Sequence, residues 1–247
     1  MIGQLRAELL KQRSTQTVLA LLAGMFGLVG LAIALHVLTP AASELATRSD
    51  QLPAFEVGTR VGMLFAALVG ALAITAEFRY GTIRPTFLVT PRRTPVITAK
   101  LTASGLTGLV FGLVATGLMA GAVTVAFAAR GIDNHLTSSD YLRLLAGGMA
   151  AAALWATIGV GVGALFRNQV STLVGICAWL LLVEHLIPSD VARYTPGNAG
   201  LALAIQATHT QLAPSVSTLA VGALALPLYA AAASVIGWRT SLHRDAV

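Results

Sequence analysis

An all-α, multi-pass membrane protein is the fold class this sequence predicts, on three observations. Of 247 residues, 56% are hydrophobic and only 11% are charged, against about 25% charged in a typical soluble domain. The apolar residues gather into six runs that meet or approach the ~20 residues a helix needs to cross a ~30 Å hydrocarbon core. Most of the Lys and Arg residues fall in the short segments between those runs, where they orient helices in a bilayer.

The first stretch, MIGQLRAELLKQRSTQ, lies outside the runs. Its Leu5, Leu9 and Leu10 sit at helical spacing, away from Arg6 and Arg13, which predicts an amphipathic helix over residues 1–16 lying in the membrane interface. Six spans are predicted to follow, over residues 17–38, 57–76, 101–129, 144–166, 170–187 and 216–238. The first run exceeds the 7–15 apolar residues of a signal peptide and five more follow, so it reads as a retained helix.

Connections between the spans are unequal. Only Arg167, Asn168 and Gln169 separate the fourth from the fifth, which forces an antiparallel hairpin. The segment Thr39 to Glu56 reads as a short polar outer loop. Residues 188–215 are longer, carry Pro188, Pro196 and Pro214, and include an apolar run, Ala199 to Ala207, that is too short to span. One or two short helices dipping back into the outer leaflet, or a plain surface loop, both fit that segment.

With both termini on the cytoplasmic side, the inner segments hold eleven of the 16 Lys and Arg residues and the outer segments five, among them Arg60 and Arg130. The net charge of +6 is therefore assigned to membrane orientation. No basic stripe is interleaved with stacking aromatics, so nucleic acid is not an expected partner, whereas the lipid bilayer is.

Searches for chemistry exclude several classes. Neither Lys11 nor Lys100 lies in the Gly-x-x-x-x-Gly-Lys-Ser/Thr loop that cradles phosphates, so no ATP-hydrolysing motor of that type is expected in this chain. No serine sits in a Gly-x-Ser-x-Gly elbow and no His-Glu-x-x-His zinc motif occurs, which leaves catalytic residues, metal ligands and bound cofactors all at none. Cys177 is the single cysteine and reads as a small buried hydrophobe. Span interiors read as nearly free of charge. Glu184 and His185 come closest, and as a pair they fit either a proton-sensitive or substrate-contacting site on the outer side, or contact with headgroups beside Pro188. Glycines four residues apart, Gly108/Gly112, Gly117/Gly121 and Gly159/Gly163, permit tight helix crossings.

The inner connection from Glu77 to Lys100, EFRYGTIRPTFLVTPRRTPVITAK, stands out. It is the longest inner connection, it is rich in Arg, and it mixes apolar Ile83, Phe87 and Leu88 with polar positions, as a short helix docked on a partner protein would. A purely orienting basic loop fits the same residues.

In order, Glu77, Gly81, Thr82, Ile83, Arg84, Pro91, Arg92, Arg93 and Lys100 resemble the motif of ABC-2 type permeases, the transmembrane subunits of ATP-binding-cassette transporters, in their small bacterial drug-export branch. The likeness extends to the amphipathic N-terminal helix, the six spans and the broken segment before the last span. It implies a coupling helix within residues 77–100, with Phe87 on its apolar face, seated in a cleft of a separate ATPase subunit. ATP and magnesium would bind to that subunit, a second identical or related permease would complete the path, and the site would be the bacterial cytoplasmic membrane. Pro85 departs from the expected coupling helix and places its start near Arg84. An ion-gradient-driven transporter and a membrane-embedded lipid enzyme are the competing readings; the first would transport without ATP and the second would turn over a lipid by itself.

Overall fold

A computed structural model describes residues 2–39, 41–45, 47–82, 93–192, 194–204 and 223–236. These are helical, with no strand among them. Helix α1 covers Ile2–Ser14, α2 Gln16–Ile33, α3 Arg48–Arg79, α4 Arg93–Ala129, α5 Ser138–Phe166 and α6 Gln169–Ala178. Short helices α7 (Ser189–Ala192) and α8 (Pro196–Ala204) follow, then α9 (Ala223–Ile236). Single π-helical turns extend α2 over Ala34–Leu38 and α6 over Trp179–Val183.

Among the described residues, five helical stretches are long and apolar enough to cross a membrane: Gln16–Leu38, Ser49–Arg79, Thr94–Ala129, Ser138–Phe166 and Gln169–Leu186. They give the chain its multi-pass membrane character. Of the predicted sixth span, the structure describes only α9, 14 residues inside the range 216–238, and the rest lies outside the described residues.

The helices begin and end where side chains can serve the free backbone groups. At the start of α3 the Thr47 N–H donates to the Asp50 carboxylate at 3.2 Å, and the Asp50 N–H donates back to the Thr47 hydroxyl at 3.4 Å. That capping box starts the helix at Arg48, nine residues ahead of the predicted span and inside what the sequence reading takes as a loop. Between α5 and α6, Arg167 adopts a left-handed φ of 54° and Asn168 accepts the Ser171 N–H at 3.0 Å, closing the predicted hairpin.

The core is built around α3. In its most apolar stretch 78% of residues are buried, against 17% in α2 and 22% in α6, so α3 is the central helix and the other two face outward. Helices α4 and α5 pack on α3 and on each other. Small residues set the approach: a Cβ on Gly112 would lie 2.6 Å from the Gly148 carbonyl, and one on Gly108 would lie 2.7 Å from the Ala152 carbonyl. Gly159 meets the Ala67 backbone of α3 as closely, and Gly163 meets Ile74. Two of the three predicted glycine pairs are therefore helix crossings, while Gly121 has nothing near it and Gly117 makes only ordinary contact. Helix α8 packs on α5 and α3, so part of the segment 188–215 folds back against the bundle.

Candidate functional site

Four charged side chains converge at one end of the bundle. Lys100, in the second turn of α4, donates to Glu8 at 2.7 Å, to Glu77 at 3.0 Å and to the Ala73 carbonyl at 2.9 Å, which uses all three of its N–H groups. Lys11 bridges the same two carboxylates, each at 3.0 Å. Glu8, Glu77 and Lys100 are all buried, and the four formal charges sum to zero. A buried charge persists only when paired in this way.

Each member comes from a different place in the chain. Glu8 and Lys11 lie one turn apart on α1, Glu77 lies in the last turn of α3, and Lys100 lies on α4. Gln12 extends the contact by donating to the Ser104 hydroxyl at 3.1 Å and accepting from Thr107. Thus α1 buries Glu8 and Gln12 against the bundle with Leu5 and Leu9 half-buried beside them, and Leu10 is left exposed.

Burial by itself would raise the Glu8 carboxyl, but Lys100 and then Lys11 outweigh it and hold that carboxyl below the ordinary range. Burial would likewise lower the Lys11 ammonium, but Glu8 and Glu77 prevail and hold it above its ordinary value. The two shifts agree: the cluster favours its charged form.

Gly81 and Thr82 explain themselves as a helix stop. The Thr82 N–H reaches back to the Glu77 carbonyl at 3.0 Å and the Gly81 N–H to the Phe78 carbonyl at 3.4 Å, with Gly81 at a φ of 68°. That is a Schellman ending, which a residue without Cβ adopts at no steric cost. The motif residues Ile83, Arg84, Phe87, Pro91 and Arg92, with Pro85, lie outside the described residues; Arg93 opens α4. Around the same end, Arg79 donates to the Gln169 side chain at 3.1 Å, and the Arg167 guanidinium lies 5.2 Å from the Phe78 ring centre.

A cavity of about 560 Å³ opens beside the cluster. Val18, Leu21, Val69 and Leu72 give it an apolar wall, and Glu8, Lys11, Gln12 and Glu77 give it a polar end. The arrangement can hold helices together and accept an amphipathic guest. Among the described residues no three His, Cys, Asp or Glu side chains are grouped to hold a metal ion.

Glu184 and His185 separate in the structure. Glu184 is buried, its Oε1 accepting the Trp179 Nε1–H at 2.8 Å and the Gly197 N–H at 2.7 Å, whereas His185 is exposed. Glu184 therefore holds the start of α8 and does not reach out to headgroups. Sequence reasoning named Glu77 and Lys100 but missed Glu8, Lys11 and Gln12. Their three- and four-residue spacing on one face of residues 1–16 was the available signal. Compared with models of known protein families and with curated protein sequences, the chain matches none.

Proposed function

We propose that the chain is the transmembrane permease subunit of an ATP-binding-cassette exporter, forming the path for an amphipathic or lipophilic substrate such as a drug, peptide or lipid. In this reading it has no catalysis of its own. A separate ATPase subunit binds ATP and magnesium, a second permease completes the path, and six spans across the bacterial cytoplasmic membrane place both termini on its cytoplasmic side.

The observation that carries the reading is the position of Lys100. It joins both ends of the Glu77–Lys100 segment to each other and to α1. A partner pressing on the segment that resembles the coupling motif would therefore move α1, α3 and α4 together, and not merely bend a loop. The apolar wall of the adjoining cavity supports an amphipathic cargo over a small polar solute.

The test is coexpression with a cassette ATPase, copurification of the two, and substrate-stimulated ATP hydrolysis, with membrane insertion confirmed for each variant. Changing Arg92 and Arg93 together to Gln, or Phe87→Ala, is expected to uncouple hydrolysis from transport or weaken assembly. Transport in vesicles that needs an ion gradient and no ATPase would overturn the proposal.

A further inference from the structure

At the end of the bundle away from the Glu8–Lys100 cluster, a second cleft of about 490 Å³ runs between α2, α3 and the extension of α6. Leu28, Leu31 and Leu35 form one wall and Leu180 and Leu181 another. Leu31, Leu35 and Leu181 are each more than half exposed, so the cleft opens sideways on the face that meets lipid. Both π-helical turns found among the described residues border it, through Leu35 and His36 on one side and Leu180 and Leu181 on the other. Such turns recur at functional sites because each carries an extra residue that disturbs packing.

Four titratable groups line this cleft: Glu56 and Arg60 of α3, His36 and His185. They lie at the outer ends of the predicted spans 17–38, 57–76 and 170–187, with Arg60 one turn inside. Arg60, counted in the sequence among the outer basic residues, stands on a helix that runs unbroken from Arg48 to Arg79. Glu56 and Arg60 are half-buried and four residues apart, in the order that favours an ion pair. Yet no ion pair within 4 Å joins them, and among the described residues neither makes a hydrogen bond. His36 is engaged locally, its Nδ1–H donating to the Ala32 carbonyl at 3.1 Å.

We propose that this cleft binds a zwitterionic phospholipid of the surrounding bilayer, with its primary ammonium at Glu56, its phosphate at Arg60 and one acyl chain along the leucine walls. The charges decide the class. One carboxylate and one guanidinium, carried on backbone positions about 6 Å apart along the helix axis, complement a headgroup in which an ethylene link separates ammonium from phosphate. A purely anionic lipid would leave Glu56 unpaired and a purely cationic one would leave Arg60 so. A primary ammonium, unlike a quaternary one, offers N–H donors to the carboxylate. The cleft is too small for both chains of a diacyl lipid and is open to the bilayer, where the second chain stays. Binding does not depend on the permease reading; only the fate of the lipid does.

The experiment uses the full chain extracted from bilayers of equal phosphatidylethanolamine, phosphatidylcholine and phosphatidylglycerol, with retained lipid counted by native mass spectrometry. Wild type is expected to retain phosphatidylethanolamine in excess. Glu56→Gln and Arg60→Met should each lower that retention about tenfold, the size of one lost charge-assisted hydrogen bond. Leu181→Trp, which fills the mouth and leaves the charges intact, should lower it as well in protein that remains monodisperse. Equal retention of the three lipids by wild type, or unchanged retention in all three variants, would overturn the proposal. So would disulfide cross-linking between copies through Leu31→Cys in native membranes, because the cleft would then be an interface between two chains. A wild-type chain that retains the lipid but neither copurifies with a cassette ATPase nor transports with ATP would count against the permease reading and leave this site standing.

Discussion

The carboxylate of Glu184, on the extension of α6, accepts the backbone N–H of Gly197 at the start of α8, 13 residues on, at 2.7 Å. The same oxygen takes the Trp179 indole N–H. Glu184→Ala removes the acceptor from two donors, and a buried donor left unmade costs about 1–3 kcal/mol. We expect faster hydrogen exchange at Gly197 and a lower unfolding midpoint in detergent. Glu184→Gln retains an acceptor oxygen and should lose much less. Equal exchange in wild type and the Ala variant would remove Glu184 from this role.

Lys100→Met leaves Glu8 and Glu77 buried with Lys11 as their only cation. Breaking a buried ion pair by deleting one partner costs about 3–5 kcal/mol, so this variant should be among the least stable single substitutions in the chain. Adding Glu8→Gln removes one of the two carboxylates left to share Lys11. The double variant should therefore be more stable than the sum of the single losses predicts, with a coupling of about 0.5–3 kcal/mol in a double-mutant cycle. Strict additivity would mean the two side chains do not depend on one another.

The cluster also sets a pH window. Glu8 lies below its ordinary 4.5 when folded, so its contribution is complete above 4.5 and declines as pH falls through the folded value. Lys11 lies above its ordinary 10.5 when folded, so its contribution is complete below 10.5 and declines as pH rises through the folded value. Unfolding midpoints should lose stability from this cluster only outside that range. Glu8→Gln should flatten the acid limb; an acid limb unchanged by that substitution would assign it to other carboxylates.

Gly112→Ala and Gly121→Ala should differ in sign. The added methyl on Gly112 would collide with the Gly148 carbonyl and sit 2.8 Å from the Ala152 Cβ, which forces α4 off α5. Overpacking of this kind costs about 1–3 kcal/mol. At Gly121 nothing lies within 4 Å, so alanine should be neutral or stabilise the helix by up to about 1 kcal/mol. Matching effects at the two positions would show that glycine spacing, and not helix contact, governs both.

What was legible in the sequence follows from bilayer physics. A hydrocarbon slab of fixed thickness demands long apolar helices, so the ranges 17–38 and 144–166 could be read directly. The three residues between the predicted spans 144–166 and 170–187 left no alternative to a hairpin. The start of α3 was readable too, because Thr47 and Asp50 have capping-box spacing, but the polar character of the segment around them suggested a loop. The ionic cluster was not readable as a whole, since Glu8 and Lys100 stand 92 residues apart and meet only because α1 packs on α4. Glycine spacing alone could not separate Gly108/Gly112 from Gly117/Gly121 for the same reason: the neighbouring helix decides.

The π turn over Trp179–Val183 fixes the azimuth of everything that follows it on α6. One residue turns an α-helix by about 100°. Were the same residues wound as regular α-helix, Glu184 would swing by roughly that angle, away from Gly197 and toward the lipid-facing side, whereas deleting one residue of the turn would restore regular winding and leave Glu184 in place. The extra residue thus works as a phase shift: it lets an outward-facing helix end with a carboxylate aimed inward.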